Sequence, residues 1–339
     1  MKRPSHTLDG ASTPRSVMPV TSTSDLVAAV RMGDRQALAR AITLTESRRP
    51  EDAVRAEALL QELWPHTGGA LRIGITGAPG VGKSTLIEAL GTRLCAAGHK
   101  VAVLAVDPSS AATGGSILGD KTRMTELSRH ANAFVRPSPG GDQLGGVAAR
   151  TREAMLLCEA AGFDCVLIET IGTGQSEVAV QGMVDFFLLL LSPAAGDELQ
   201  GIKRGVMELA DGVFVHKADG DLAATADRAA QQCLLAMRVL HAGDAEPPPV
   251  LVGSSTTGRG IDELWRTITT RLDAARGDGR LATRRQQQSL QWFEAAVRDR
   301  LLQRFLADPA TAASVRAARE RLADGRALPS QLAREVTGG

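Results

Sequence analysis

The fold is decided by one stretch of the chain, Gly74-Ile75-Thr76-Gly77-Ala78-Pro79-Gly80-Val81-Gly82-Lys83-Ser84-Thr85. Within it, Gly-x-x-x-x-Gly-Lys-Ser at 77–84 matches the phosphate-binding P-loop at every required position. The glycines let backbone N–H groups turn toward phosphate oxygens, Lys83 brings a positive charge to the outer phosphates, and Ser84 offers a hydroxyl to Mg²⁺. The stretch therefore predicts a nucleoside triphosphate site made of Gly77, Ala78, Pro79, Gly80, Val81, Gly82, Lys83, Ser84 and Thr85.

Short apolar runs alternate with helical patterns on either side of this loop. We predict strands at 71–76, 101–106, 133–136, 165–169, 185–191, 212–216 and 249–252. Such alternation is typical of a mostly parallel sheet with helices on both faces, which binds its ligand at the carboxyl ends of the strands. The predicted fold is an α/β P-loop NTPase with helical extensions at both ends.

The chain divides into four predicted segments. Residues 1–23 are rich in Ser, Thr and Pro, so we expect disorder, and 24–69 form an N-terminal helical segment. The nucleotide-binding domain covers 70–277, and 278–339 form a C-terminal helical arm. An apolar stripe at 290–305 needs burial, either against its own domain or against another chain.

Composition excludes several classes of protein. With 43% hydrophobic residues and a net charge of +1 in 339 residues, we expect a soluble globular protein, without nucleic acid or a membrane as partner. The four cysteines lack Cys-x-x-Cys spacing, which favours buried thiols in a reducing compartment. No apolar run is long enough for a membrane span, and no secretory leader is recognisable, so we expect the cytoplasm.

A second phosphate-facing segment follows the predicted strand at 165–169. Glu169 ends this strand and is placed to hold Mg²⁺ through water, while Gly172 offers its N–H to the γ-phosphate. Gln175 is placed to orient an attacking water, although a solvated loop glutamine fits the same sequence. The alternative for Glu169 is a helix cap or a surface charge.

Two further acids flank a glycine-rich stretch. Asp107 follows the strand at 101–106, which we expect beside the P-loop strand, and Asp120 closes Gly-Gly-Ser-Ile-Leu-Gly-Asp. Either carboxylate could reach the magnesium shell or the attacking water. The alternative for Asp107 is an Asp-Pro turn that only ends a strand.

The choice of base is predicted from two later loops. His216-Lys217-Ala218-Asp219 is similar to the Asn-Lys-x-Asp guanine signature, in which the carboxylate accepts hydrogen bonds from guanine N1 and N2 and the lysine stem covers the ring. His216 stands where Asn is usual, a change that affects affinity more than base identity. Ser254, Ser255 and Thr256 follow a strand where GTPases place a short loop against the base. Together these segments favour GTP over ATP.

The ordered motifs resemble the MeaB/ArgK family, the G-protein chaperones of adenosylcobalamin-dependent acyl-CoA mutases such as methylmalonyl-CoA mutase. The most specific are Gly-Gly-Ser-Ile-Leu-Gly-Asp at 114–120 and Gly-Asp-Glu-Leu-Gln-Gly at 196–201. The resemblance spans about residues 25 to 305 and implies a slow GTPase, stimulated by its mutase partner, that gates cofactor loading and protects or reactivates the mutase. It implies a homodimer formed through C-terminal helices.

The resemblance also assigns roles residue by residue. It implies Mg²⁺ surrounded by Ser84, Asp107, Asp120 and Glu169, guanine recognised by Asp219 with Lys217, and a nucleotide-dependent partner switch. The implied switch residues are Asp197, Glu198, Gln200 and Lys203. The predicted catalytic residues are Lys83, Asp107, Glu169 and Gln175.

Two other functions are compatible with a P-loop. A kinase of a small metabolite would need an acceptor pocket with a base, for which the later segments offer no clear candidate. A metal-insertion GTPase would be expected to carry His-rich or Cys-bearing metal tracts, whereas the six histidines here are dispersed.

Overall fold

A computed structural model describes residues 22–47, 49–106, 124–136, 144–170, 176–193, 204–243, 246–325 and 327–338. Its centre is a seven-stranded, entirely parallel sheet, as predicted. The strands are β1 Leu71–Gly77, β2 Val101–Val106, β3 Ala133–Arg136, β4 Cys165–Thr170, β5 Phe186–Leu191, β6 Gly212–Val215 and β7 Val250–Val252. Each lies within two residues of the expected bounds.

The order of strands corrects one prediction. The sheet runs β3-β2-β4-β1-β5-β6-β7, so the neighbours of the P-loop strand β1 are β4 and β5, and β2 lies one strand further away. Apolar runs identify strands but do not encode which strand lies next to which. The strand preceding Asp107 is therefore not beside β1, whereas the strand that ends near Glu169 is.

Helices cover both faces of the sheet. They are α1 Thr23–Arg31, α2 Arg35–Glu46, α3 Pro50–Leu63, α4 Lys83–Ala96, α5 Thr125–Arg129, α6 Leu144–Ala160, α7 Ser176–Gln181, α8 Arg204–Leu209, α9 Ala223–Leu240, α10 Ile261–Gly277, α11 Arg280–Ala307, α12 Pro309–Ala323 and α13 Pro329–Thr337. Short 3₁₀ turns occupy Trp64–His66 and Gly220–Leu222.

Alternate side chains of each strand enter different cores. On one face Ala102, Leu104 and Val106 of β2 pack with α6 and with the N-terminal helices α1–α3, whereas Val101 and Val103 point to the face covered by α4 and α10. The N-terminal helical segment thus shares a hydrophobic core with the sheet. We keep the segment limits 24–69, 70–277 and 278–339 as a proposal.

The first helix begins earlier than expected. Residues 1–21 lie outside the described part of the chain, but Thr23, inside the range predicted to be disordered, is already helical. Ser22 accepts a hydrogen bond from the Asp25 N–H, and the Asp25 carboxylate accepts one from the Ser22 N–H. This reciprocal capping box stabilises the helix start and overrides the polar composition.

The long helix α11 is attached to the amino-terminal edge of the sheet by a polar face. Arg284 binds Asp211 with two hydrogen bonds of 2.9 Å, and Arg285 binds Asp185 in the same bidentate way. Further along, the Trp292 Nε1–H donates to the Gly182 carbonyl at 2.9 Å. The predicted stripe is largely exposed, through Leu290, Phe293, Val297, Leu301 and Leu302.

Two expectations from composition are addressed by the structure. All four cysteines are buried free thiols, as expected. Among the described residues, none of the helices combines the length and apolar character needed to cross a membrane.

Candidate nucleotide-binding site

The P-loop joins the carboxyl end of β1 to the first turn of α4. Gly77 and Gly82 both have a positive φ, of 148° and 102°. A Cβ on Gly77 would lie 2.5 Å from the Leu190 carbonyl oxygen, and one on Gly82 would lie 2.6 Å from the ring of His216. Only glycine fits at these two positions, so the motif reflects close packing as well as backbone freedom.

Lys83 is buried beneath the loop, with 7% of its surface exposed. Its Nζ donates to the Gly77 and Ala78 carbonyl oxygens at 2.8 and 3.1 Å. Burial lowers the pKa of Lys83, while the carboxylates of Glu169 and Glu177 act in the opposite direction. The ammonium is thus held inside the loop whose N–H groups are expected to face phosphate.

Ser84, in the first turn of α4, meets Glu169 near the carboxyl end of β4. The Ser84 hydroxyl donates to Glu169 Oε1 at 2.8 Å, and Glu169 is level with Ile75 in the pairing of β1 with β4. Next to it a buried hydrogen bond of 2.8 Å joins the Thr170 and Thr76 hydroxyls, tying the ends of the same two strands together. A hydroxyl and a carboxylate at this place supply the oxygen ligands that Mg²⁺ prefers.

The two predicted base-binding loops are joined by backbone hydrogen bonds. The Ala218 N–H donates to the Gly253 carbonyl at 3.0 Å, and the Gly253 N–H donates to the Val215 carbonyl at 3.0 Å. Lys217, with a left-handed φ of 59°, donates from Nζ to the Gly80 carbonyl of the P-loop at 2.7 Å. The lysine side chain therefore spans the distance between the base loop and the phosphate loop.

The remaining residues of these loops vary in exposure. Ser254 is fully buried and its N–H donates to the Arg259 carbonyl at 2.9 Å, whereas Ser255 is half-buried and Thr256 is exposed. Asp219 lies at the start of the 3₁₀ turn after β6, on the same edge of the sheet. The exposed crest of the P-loop consists of Ala78, Pro79 and Gly80, with Thr85 exposed on the first turn of α4.

Several predicted site residues lie outside the described residues. They are Asp107, Asp120, Gly172, Gln175, Asp197, Glu198, Gln200 and Lys203. The structure therefore brings together the P-loop, Glu169, His216, Lys217, Asp219 and the loop 254–256.

A family model for the methylmalonyl Co-A mutase-associated GTPase MeaB matches residues 38–310. The chain belongs to the MeaB family. The resemblance predicted from the motifs is thereby confirmed, and the protein is a nucleotide-binding P-loop GTPase.

Named relatives agree with this MeaB assignment. A putative GTPase of Caulobacter vibrioides is 58% identical over 84% of this chain and 87% of its own length. GTPase ArgK of Escherichia coli is 48% identical, covering 82% of this chain and 85% of the relative. The mitochondrial methylmalonic aciduria type A homolog of Mus musculus is 44% identical over 89% of this chain and 75% of its own length.

A solved structure shares the whole MeaB architecture. The crystal structure titled LAO/AO transport system kinase is 37% identical and superimposes with a TM-score of 0.74, covering 95% of this chain and 99% of its own. That structure is named a kinase, whereas the family model and the relatives from Caulobacter vibrioides and Escherichia coli are named GTPases.

One residue of this MeaB protein makes contacts that its motif does not predict. His216 departs from the guanine signature, and its imidazole lies within hydrogen-bonding distance of both the P-loop and the loop 254–256. The available signal was its position directly after a buried strand, where a polar side chain faces the carboxyl edge.

Proposed function

We propose that this MeaB-family GTPase acts as a chaperone of an adenosylcobalamin-dependent acyl-CoA mutase, gating cofactor loading and protecting or reactivating the mutase. The family is named for association with methylmalonyl-CoA mutase, and the mouse relative is named for methylmalonic aciduria. High identity over most of both chains supports transfer of the role. The client is an acyl-CoA mutase such as methylmalonyl-CoA mutase.

The proposed binding of a guanine nucleotide is supported by the convergence of three loops at the carboxyl ends of the strands. Ser84 reaches Glu169 at 2.8 Å, and Lys217 reaches the P-loop carbonyl of Gly80 at 2.7 Å. Phosphate loop, switch acid and base loop thus lie within one hydrogen-bond network. Asp219 would accept the guanine N1–H and N2–H groups, a donor pair that adenine lacks.

Ser84 and Glu169 fit a magnesium ion, because they supply hard oxygen donors beside the P-loop. Ser84 would bind the ion directly and Glu169 through water, with Asp107 and Asp120 completing the set. The ion neutralises charge on the phosphate oxygens when GTP is bound.

The residues of the chain then act by positioning and electrostatics. Lys83 would exchange its two carbonyl partners for phosphate oxygens, and the backbone N–H groups of 80–84 would hold the β-phosphate. Gln175 would orient the attacking water, and the Gly172 N–H would donate to the γ-phosphate. Because hydrolysis proceeds by direct attack of water, no covalent intermediate forms. The rate without the mutase partner is slow.

Communication with the mutase is assigned to the segment that holds Asp197, Glu198, Gln200 and Lys203. The homodimer is assigned to the exposed stripe of α11, because Phe293, Leu301 and their neighbours present a continuous apolar face on a helix that Arg284 and Arg285 anchor near its start. The protein is proposed to act in the cytoplasm.

The test is phosphate release from GTP and from ATP by the purified protein, alone and with an adenosylcobalamin-dependent methylmalonyl-CoA mutase. We expect GTP-selective release that the mutase accelerates, and no acceleration by a cobalamin-independent enzyme used as control. A rate of phosphate release that the mutase does not change would refute the chaperone role. Transfer of labelled phosphate to a small acceptor would instead establish the kinase alternative.

Exchanging Asp219 for Asn tests the base assignment. The oxygen of the Asn amide can still accept from the base N1–H, and its NH₂ group donates. This donor suits the O2 acceptor of xanthine, but in guanine it faces a second donor, the N2 amino group. We expect Asp219→Asn to weaken the binding of GDP by about 30- to 1,000-fold, equivalent to about 2–4 kcal/mol, and to strengthen the binding of XDP. Equal loss of both nucleotides would contradict a direct contact between Asp219 and the base.

A further inference from the structure

His216 occupies the junction of the two halves of the nucleotide site. It follows β6, which ends at Val215, and only 3% of its surface is exposed. The P-loop packs on one side of its ring at Val81 and Gly82, and the loop 254–256 lies on the other. The imidazole is thus enclosed by the elements expected to hold phosphate and base.

The partners of the ring fix its tautomer. His216 Nδ1 lies 2.9 Å from the Val81 carbonyl oxygen, which can only accept a hydrogen bond, so Nδ1 carries the proton. Nε2 lies 2.7 Å from the Ser255 hydroxyl and accepts from the Ser255 N–H at 3.3 Å. A backbone N–H can only donate, so Nε2 must offer its lone pair. One neutral tautomer satisfies all three contacts.

Protonation of this ring would remove one of the three contacts. An added Nε2–H could donate to the Ser255 hydroxyl, but the Ser255 N–H would lose its acceptor, because two donors cannot bond. Burial lowers the pKa of His216, the Val81 carbonyl opposes this, Lys217 lowers the pKa further and Asp219 raises it. Within the described part of the chain, the charged groups that act on the ring are Lys217 and Asp219 of its own loop. Arg259, which follows the loop that carries Ser255, donates to the Ala218 carbonyl. The P-loop contributes the Val81 carbonyl and the Gly82 backbone.

We propose that His216 is a positioning residue for the guanine nucleotide, whose neutral imidazole ties the P-loop to the loop 254–256 so that phosphate and base are held at a fixed separation. The proposal rests on the guanine site proposed above. In the Asn-Lys-x-Asp signature the Asn side chain mainly braces neighbouring loops, and His216 would take that role here. Like Asn, the Nδ1–H tautomer presents one donor and one acceptor.

The test is the affinity for GDP of the full-length protein, measured by calorimetry at pH 8. We expect His216→Ala to lower the affinity for GDP by about 10-fold or more, the effect of losing one or two hydrogen bonds. His216→Asn should restore affinity to within about 3-fold of wild type, since it keeps a donor and an acceptor. His66→Ala removes an exposed histidine outside the site and should leave affinity unchanged.

The pH profile separates this role from a general packing role. Because the pKa of His216 is lowered, wild-type affinity for GDP should fall only below the ordinary histidine range, where His216 becomes charged, whereas the affinity of His216→Asn should stay level over the same range. Identical profiles for the two proteins, or wild-type affinity in His216→Ala, would overturn the positioning role while GDP binding itself stands. Preference of the wild type for ADP over GDP would instead overturn the guanine site, and this proposal with it.

Discussion

Replacing Arg285 with Met tests how the C-terminal helix α11 is held on the sheet. The Arg285 guanidinium donates to both oxygens of Asp185 at 2.8 and 2.6 Å and to the Gly68 and Ala70 carbonyls at 2.5 and 2.7 Å. Burial alone would lower the pKa of Arg285, but the hydrogen bonds and charge of Asp185 outweigh it and raise the pKa. Methionine keeps most of the side-chain volume and removes every donor.

The magnitude follows from the burial of the partner. The Asp185 side chain is 0% exposed, and after the substitution it would keep the Arg72 N–H, at 2.9 Å, as a donor. Leaving a buried charge without its counter-ion costs about 3–5 kcal/mol. Because 21% of the Arg285 side chain is exposed, water can replace some of the lost donors. We therefore expect a loss of about 3 kcal/mol in the free energy of unfolding, a large share of the roughly 5–15 kcal/mol typical of proteins.

The assay is urea unfolding followed by tryptophan fluorescence, since Trp292 lies on the same helix and bonds to the Gly182 carbonyl. The double variant Arg285→Met/Asp185→Asn should recover part of the loss, because the neutral amide still accepts from Arg72 and leaves no buried charge. A loss below about 1 kcal/mol for Arg285→Met, or no recovery in the double variant, would refute this account.

Three further predictions concern separate parts of the molecule. Ser84→Ala should lower Mg²⁺-dependent GTP hydrolysis by about 100-fold or more while changing the free energy of unfolding by less than about 1 kcal/mol; hydrolysis and urea titrations on the same sample measure both. Burial raises the pKa of Glu153 from 4.5 to about 7, so its stabilising contribution is present below pH 4.5 and lost as the pH rises through about 7. Glu153→Gln should therefore be more stable than wild type at pH 8 and equal to it near pH 4.5 in thermal unfolding. Phe293→Asp on the exposed face of α11 should convert a dimer to a monomer in light scattering, with Val178→Asp, at another exposed apolar position, as the control; an unchanged mass would contradict the proposed interface.

The strands were predictable because buried parallel strands have a simple sequence pattern. Runs such as Val101–Val106 and Phe186–Leu191 are buried on both faces, so every residue in them is apolar. The order of the strands was not predictable in the same way. Pairing of β1 with β4 rather than with β2 depends on how the crossover helices pack, which no local pattern records.

The phosphate loop was predictable because its chemistry requires particular residues in consecutive positions. The anchoring role of Arg284 and Arg285 was not, since both sit in a polar run that is equally typical of an exposed helix. Their partners Asp211 and Asp185 lie 73 and 100 residues away along the chain. The contacts of His216 with Val81 and Ser255 were not predictable for the same reason, because they connect residues far apart in sequence.

The two ends of the strands have different roles, so substitutions at one end should not affect the role of the other. We call these ends the amino-terminal edge and the carboxyl edge of the sheet. Asp185 and Asp211 immediately precede β5 and β6 and hold α11 at the amino-terminal edge, while Lys83, Glu169 and His216 lie at the carboxyl edge. A strand fixes the distance between its two ends, so losing the Arg285 anchor should leave the P-loop geometry of folded molecules intact. Arg285→Met should therefore lower stability with little change in GDP affinity, whereas Lys83→Ala should abolish GDP binding. If Arg285→Met weakened GDP binding as strongly as Lys83→Ala, the two edges would be coupled through the sheet, and the attachment of α11 would have to be counted as part of the nucleotide site.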